Sequence, residues 1–111
     1  MPHCIIEHSE NLSAEPLIES VFNTVVASGL FSKNGDDVKL RAAKYSGYKV
    51  GNSSRGFVHV VLKILSGRST EQKTELAKIV LGGLQGLAIK NCSFTVEVVD
   101  IDTPSYAKLE N

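Results

Sequence analysis

Gly56-Phe57-Val58-His59-Val60-Val61-Leu62-Lys63-Ile64, residues 56–64, decide how this chain folds. The run is nearly all apolar and bounded by Gly- and Ser-containing stretches, which marks a strand lying centrally in a sheet. Downstream, Ser66-Gly67-Arg68-Ser69 ends the strand and opens a helix, for which Ser69 and Gln72 supply a capping box. Leu76, Ile79, Val80, Leu84 and Leu87 recur at helical spacing, so the helix is expected to run to about Ile89. Gly82 and Gly83 either weaken it or let something pack closely against it. Asn91 to Ile101 reads as a further strand, with Phe94, Val96, Val98 and Asp100 on alternate positions.

Upstream, Gly47 to Arg55 is a loop, and Val38 to Tyr45 alternates as a strand. Ser32 to Asp37 is rich in turn residues. Between Pro16 and Gly29, the residues Leu17, Val21, Phe22, Val25 and Val26 fall on one helical face. Ser13 stands in an N-cap position before it, Pro16 is tolerated in a first turn, and Gly29 closes the helix. The first strand is Pro2-His3-Cys4-Ile5-Ile6-Glu7-His8-Ser9, where a proline suits the first position because no ladder N–H is needed there. Residues from Asp102 onward are expected to form a surface tail that docks on a neighbour.

The order is therefore β-α-β-β-α-β, an α+β chain expected to form one domain over residues 1–111. Right-handed crossovers place both helices on one face of a four-stranded sheet. Val58, Val60, Leu62 and Ile64 then face the helices, while Phe57, His59, Val61 and Lys63 face outward. That second face is apolar enough to predict an oligomer.

Composition narrows the function. Twelve Lys and Arg balance twelve Asp and Glu, which gives no basic surface for nucleic acid or an anionic membrane. No apolar run is long enough to cross a membrane, and the start has no secretory signal pattern, so a cytoplasmic location is expected. Cys4 and Cys92 have no metal-site spacing and read as free, largely buried thiols. His3 and His8 flank Glu7 on the first strand without a third ligand, so no metal site is expected. His59 reads as a hydrogen-bonded core or interface residue, Lys63 as a solvated or paired one, and Tyr45 and Tyr48 as residues lining a cleft. Arg55 begins the central strand and adds positive charge without a motif around it.

Three residues carry candidate chemistry. If Met1 is removed, the Pro2 nitrogen becomes a secondary amine, and burial beside cations would leave it neutral and able to take a proton. Arg68 sits where a helix N-terminus already favours an anion, and its planar fork suits a carboxylate. The alternative for Arg68 is a surface pair with Glu71 or another acid, and for Arg41 an exposed strand residue.

Met1-Pro2-His3, Phe57-Val58-His59 followed by Leu62-Lys63-Ile64, and Gly67-Arg68-Ser69, taken in order, resemble the 5-carboxymethyl-2-hydroxymuconate isomerase family of the tautomerase superfamily. The similarity runs from Pro2 to about Val98. The resemblance implies a homotrimer whose three sheets pack into a barrel, active sites near subunit contacts, Pro2 as an amino-terminal base, and no metal or cofactor. It matches the two family arginines to Arg41 and Arg68, as carboxylate clamps or as electrophiles for a developing enolate. The substrate class it implies is a small anionic enol dicarboxylate such as 5-carboxymethyl-2-hydroxymuconate, met in breakdown of the aromatic catabolite homoprotocatechuate. The chain departs from the family between Phe31 and Leu40 and in its shorter tail. Two alternatives stay open: a tautomerase acting on another enol acid such as a phenylpyruvate-like substrate, and a non-catalytic ligand-binding oligomer.

Overall fold

The computed structural model describes residues 1–111. Strand β1 spans His3–Ser9, helix α1 Ala14–Ala27, β2 Lys39–Tyr45, β3 Gly56–Leu65, α2 Thr70–Gln85 and β4 Cys92–Ile101, followed by a short 3-10 turn at Thr103–Ser105. The strands form one sheet in the order β2-β1-β3-β4. The two outer pairings are parallel and the central β1–β3 pairing is antiparallel, as two β-α-β halves side by side require.

Burial follows the alternation of β3. Val58, Val60, Leu62 and Ile64 join Cys4 and Ile6 of β1 beneath both helices, against Leu17, Val21 and Val25 of α1 and Leu76, Val80 and Leu84 of α2. Truncating one such leucine to alanine costs about 2–5 kcal/mol, so this layer holds the domain together. A Cβ added at Gly83 would lie 2.5 Å from Thr24 Cγ2 and 2.9 Å from Ser20 Oγ, whereas one at Gly82 would meet nothing. Gly83 is thus the position that lets α1 and α2 approach.

The helix boundaries follow expectation at α1 and depart from it at the end of α2. Helix α1 begins at Ala14, so Pro16 sits inside its first turn, and Ser13 caps it without a side-chain hydrogen bond. Helix α2 has the full Ser69–Gln72 capping box but ends at Gln85 rather than Ile89. Beyond it the Leu87 and Ala88 amides turn back onto the Leu84 and Gln85 carbonyls, and Ala88 takes a left-handed φ of 56°. Leu87 and Ile89 therefore reach the core from a loop.

The other sheet face carries no helix. There His59 bonds Thr95 Oγ1 at 2.6 Å and Glu97 Oε2 at 2.7 Å, and the Tyr45 hydroxyl donates to Glu7 Oε2 at 2.6 Å. At one end of the sheet His3 of β1 pairs with Lys39 at the start of β2 and with Lys63 near the end of β3. This end gathers the amino terminus and the turn that carries Arg68. No helix is long and apolar enough to cross a membrane.

Candidate active site

Pro2 is buried and extends the parallel ladder by one step, its carbonyl accepting the Lys39 amide at 2.9 Å. In the chain as it stands its nitrogen is the amide that carries Met1. The Met1 ammonium donates to the Asp37 carbonyl. Its pKa is held below the ordinary value, chiefly by partial burial; the Asp37 charge opposes this, while Lys39 and Lys108 add to it. Desolvation thus disfavours an ammonium at this terminus despite the nearby Asp37 and Glu110 charges.

Arg41 lies on the uncovered face, one strand over from Ile5. Its guanidinium donates to His3 Nδ1 at 3.2 Å, and His3 Nε2 lies 3.0 Å from the Tyr106 hydroxyl. Arg68 stands between β3 and α2, where its guanidinium donates to the Leu30 carbonyl at 2.5 Å and rests 5.7 Å from the centre of the Phe31 ring. The chain's ion pairs are His59–Glu97, Lys73–Asp100 and Lys108–Glu110, so neither arginine has a carboxylate partner and the expected alternative pairing of Arg68 with Glu71 does not form. Pro2, Arg41 and Arg68 share one end of the sheet, yet no hydrogen bond joins them. None of the three lines a concave surface of the single chain, although one groove, bordered by Leu30 and Glu71, lies next to Arg68.

A sequence model of the 5-carboxymethyl-2-hydroxymuconate isomerase family matches residues 2–110. The chain belongs to this family. A 5-carboxymethyl-2-hydroxymuconate isomerase from Deinococcus radiodurans R1 superposes with a TM-score of 0.76 at 26% identity, over 99% of this chain and 90% of that one. A 5-carboxymethyl-2-hydroxymuconate delta-isomerase gives 0.70 at 15% identity, over 100% of this chain and 89% of that one. A fused 4-OT symmetric trimer gives 0.72 at 17% identity, over 89% and 85% respectively. No curated protein matches the sequence. Membership in the 5-carboxymethyl-2-hydroxymuconate isomerase family makes the chain an isomerase on a tautomerase-superfamily fold.

The remaining candidates fall away from this end. Arg55 lies before β3, at the opposite end of the sheet, where its Nε bonds Ser53 Oγ at 3.2 Å. Tyr45 and Tyr48 both pack on Phe57, and Tyr48 borders a cleft with Arg55. Cys4 is fully buried and its thiol is pushed up to about 12 by desolvation, so it is no nucleophile. Sequence reading passed over Phe31, Asp37 and Tyr106. Tyr106 gave a signal, an aromatic residue in a polar tail just beyond Pro104, but its partner His3 is 103 residues away in sequence. Within the chain, Tyr106 ties the tail to the first strand through His3.

Proposed function

We propose that, once Met1 is removed, the chain works as a homotrimeric, cofactor-independent isomerase moving a proton in 5-carboxymethyl-2-hydroxymuconate or a similar 2-hydroxydienoate. The observation that carries this reading is the setting of the amino terminus. Met1 is half-buried and its amine is already pushed toward neutrality, whereas Pro2 is buried, so an amine at Pro2 lies deeper still. Burial of such an amine favours its neutral form, which serves as a base.

Neutral Pro2 takes the proton from the substrate 2-hydroxyl. The oxygen electrons form the C2 carbonyl, the double bonds shift along the chain, and Pro2 returns the proton to a distant carbon. Nothing is oxidised or lost. Arg41 and Arg68, both without acid partners in the chain, hold the substrate carboxylates and stabilise the negative charge that spreads onto the oxygen. The site is completed by a neighbouring subunit, a reading supported by the uncovered sheet face and by the lack of an enclosing cleft around Pro2. A single domain over 1–111, a cytoplasmic location and a role in homoprotocatechuate breakdown belong to the same proposal.

The test is the ultraviolet change of 5-carboxymethyl-2-hydroxymuconate with protein whose terminus is shown by mass to be Pro2. Conversion is expected, with Pro2→Ala lowering kcat by about 10²–10⁴-fold. Conversion of phenylpyruvate-like enols alone would overturn the substrate, and conversion of no enol would overturn the base.

A further inference from the structure

We propose that His3, held in place by Tyr106, is a positioning residue that presents Arg41 to the substrate carboxylate. This rests on the reading of Arg41 as a substrate-binding residue. The geometry dictates a single protonation pattern. An arginine is only a donor, so His3 Nδ1, 3.2 Å from the Arg41 guanidinium, must be the acceptor. A neutral ring then carries its proton on Nε2, which donates to the Tyr106 oxygen at 3.0 Å. The 3-10 turn at Thr103–Ser105 delivers Tyr106 to this spot, with its ring edge-on to the imidazole, 6.1 Å between centres. The C-terminal segment thereby fixes the tautomer that Arg41 needs.

The side chains that face His3 from the sheet are cations, Arg41 and Lys39 from β2 and Lys63 from β3, and the Met1 ammonium adds to them only while Met1 is attached. Burial first, and then these charges, hold His3 below its ordinary value, so the ring is neutral where the enzyme works. A proton added to Nδ1 would remove the acceptor and set a like charge against the guanidinium. Without this tether the Arg41 guanidinium, which has no carboxylate partner in the chain, keeps many rotamers that it must lose on binding.

Four variants, a pH profile and one spectrum test this. His3→Leu removes the acceptor, and KM is expected to rise about 10- to 100-fold with a smaller change in kcat, as for loss of a hydrogen bond to a charged group. His3→Asn keeps an oxygen acceptor near the Nδ1 position and is expected to restore most of the loss. Tyr106→Phe should fall between them. In the wild type KM should rise as the pH falls through the His3 titration, and this rise should be missing in His3→Asn. Independently of turnover, the imidazole ¹⁵N signals should show a bare Nδ1 and a protonated Nε2, with Nδ1 shifting in Arg41→Ala. A proton on Nδ1 at neutral pH, or an Nδ1 signal indifferent to Arg41→Ala, would overturn the proposal. An unchanged KM in a folded His3→Leu would do the same. If the wild type turned over no substrate, the functional proposal would fail and the spectrum alone would decide the tether.

Discussion

Gly82 and Gly83 are neighbours in α2 with opposite surroundings, so alanine at each should move stability in opposite directions. Either substitution relieves the helix of a glycine, a gain of about 1 kcal/mol. At Gly82 a Cβ meets nothing within 4 Å, and that gain stands alone. At Gly83 the Cβ arrives 2.5 Å from Thr24 Cγ2 and 2.9 Å from Ser20 Oγ. Thr24 has little freedom to retreat, because its hydroxyl donates to the Ser20 and Val21 carbonyls at 2.8 and 3.1 Å and fixes its rotamer. The two helices must part, at about 1–3 kcal/mol for an overpacked contact. Gly83→Ala should therefore be less stable than Gly82→Ala by roughly 1–3 kcal/mol, or on the order of 4–12 °C in Tm for a chain this size. The comparison is made by thermal unfolding at one protomer concentration, since association shifts Tm. Parting the helices also carries the Leu30 carbonyl away from Arg68, so Gly83→Ala should lose activity that Gly82→Ala keeps. Equal melting temperatures, or Gly83→Ala the higher, would refute the close-packed seam.

Three further outcomes follow from side-chain settings. Phe31→Ala removes the ring beneath Arg68 and should lower kcat/KM about two- to fivefold, read by steady-state kinetics. Cys4 should resist alkylation in the folded protein at pH 8 while the half-buried Cys92 reacts first, a sequence visible by peptide mass; early labelling of Cys4 would contradict its burial. Burial alone would raise the Asp37 carboxyl, but hydrogen bonds from Ser32 and the amino-terminal charge outweigh it and hold its pKa low. A depressed pKa gives stability that is present above the unfolded carboxyl value near pH ~4 and is lost as pH falls through the folded value. Urea unfolding between neutral and acid pH should show this loss in the wild type and less of it in Asp37→Asn.

The order of elements was legible because each apolar run shows its own spacing, with β3 a nearly continuous apolar strand between two helical patterns. One run of residues assigns Val58, Val60, Leu62 and Ile64 to the helices and leaves the opposite set outward, and the burial agrees. The α2 start was equally plain, since a capping box is a local pattern. Its end was not, because Leu87 keeps helical spacing while the left-handed turn at Ala88 comes from how the chain reaches β4. Pro2, Arg41 and Arg68 could be singled out by residue type and resemblance, and the sheet does carry them to one end. Their immediate partners could not. Arg68 meets a backbone carbonyl at Leu30 and Arg41 meets a histidine tied to the far terminus, and neither contact leaves a spacing along the chain.

The central claim is that a free Pro2 nitrogen is the base, and the decisive measurement is activity against the fraction of chains that begin with Pro2. Preparations ranging from fully processed to fully Met1-bearing, each quantified by intact mass, are assayed with 5-carboxymethyl-2-hydroxymuconate under one set of conditions. The rate should rise in proportion to the processed fraction and extrapolate to zero for chains that keep Met1. A Met1-bearing preparation as active as the processed one would show that an amide nitrogen suffices, and Pro2 could not be the base.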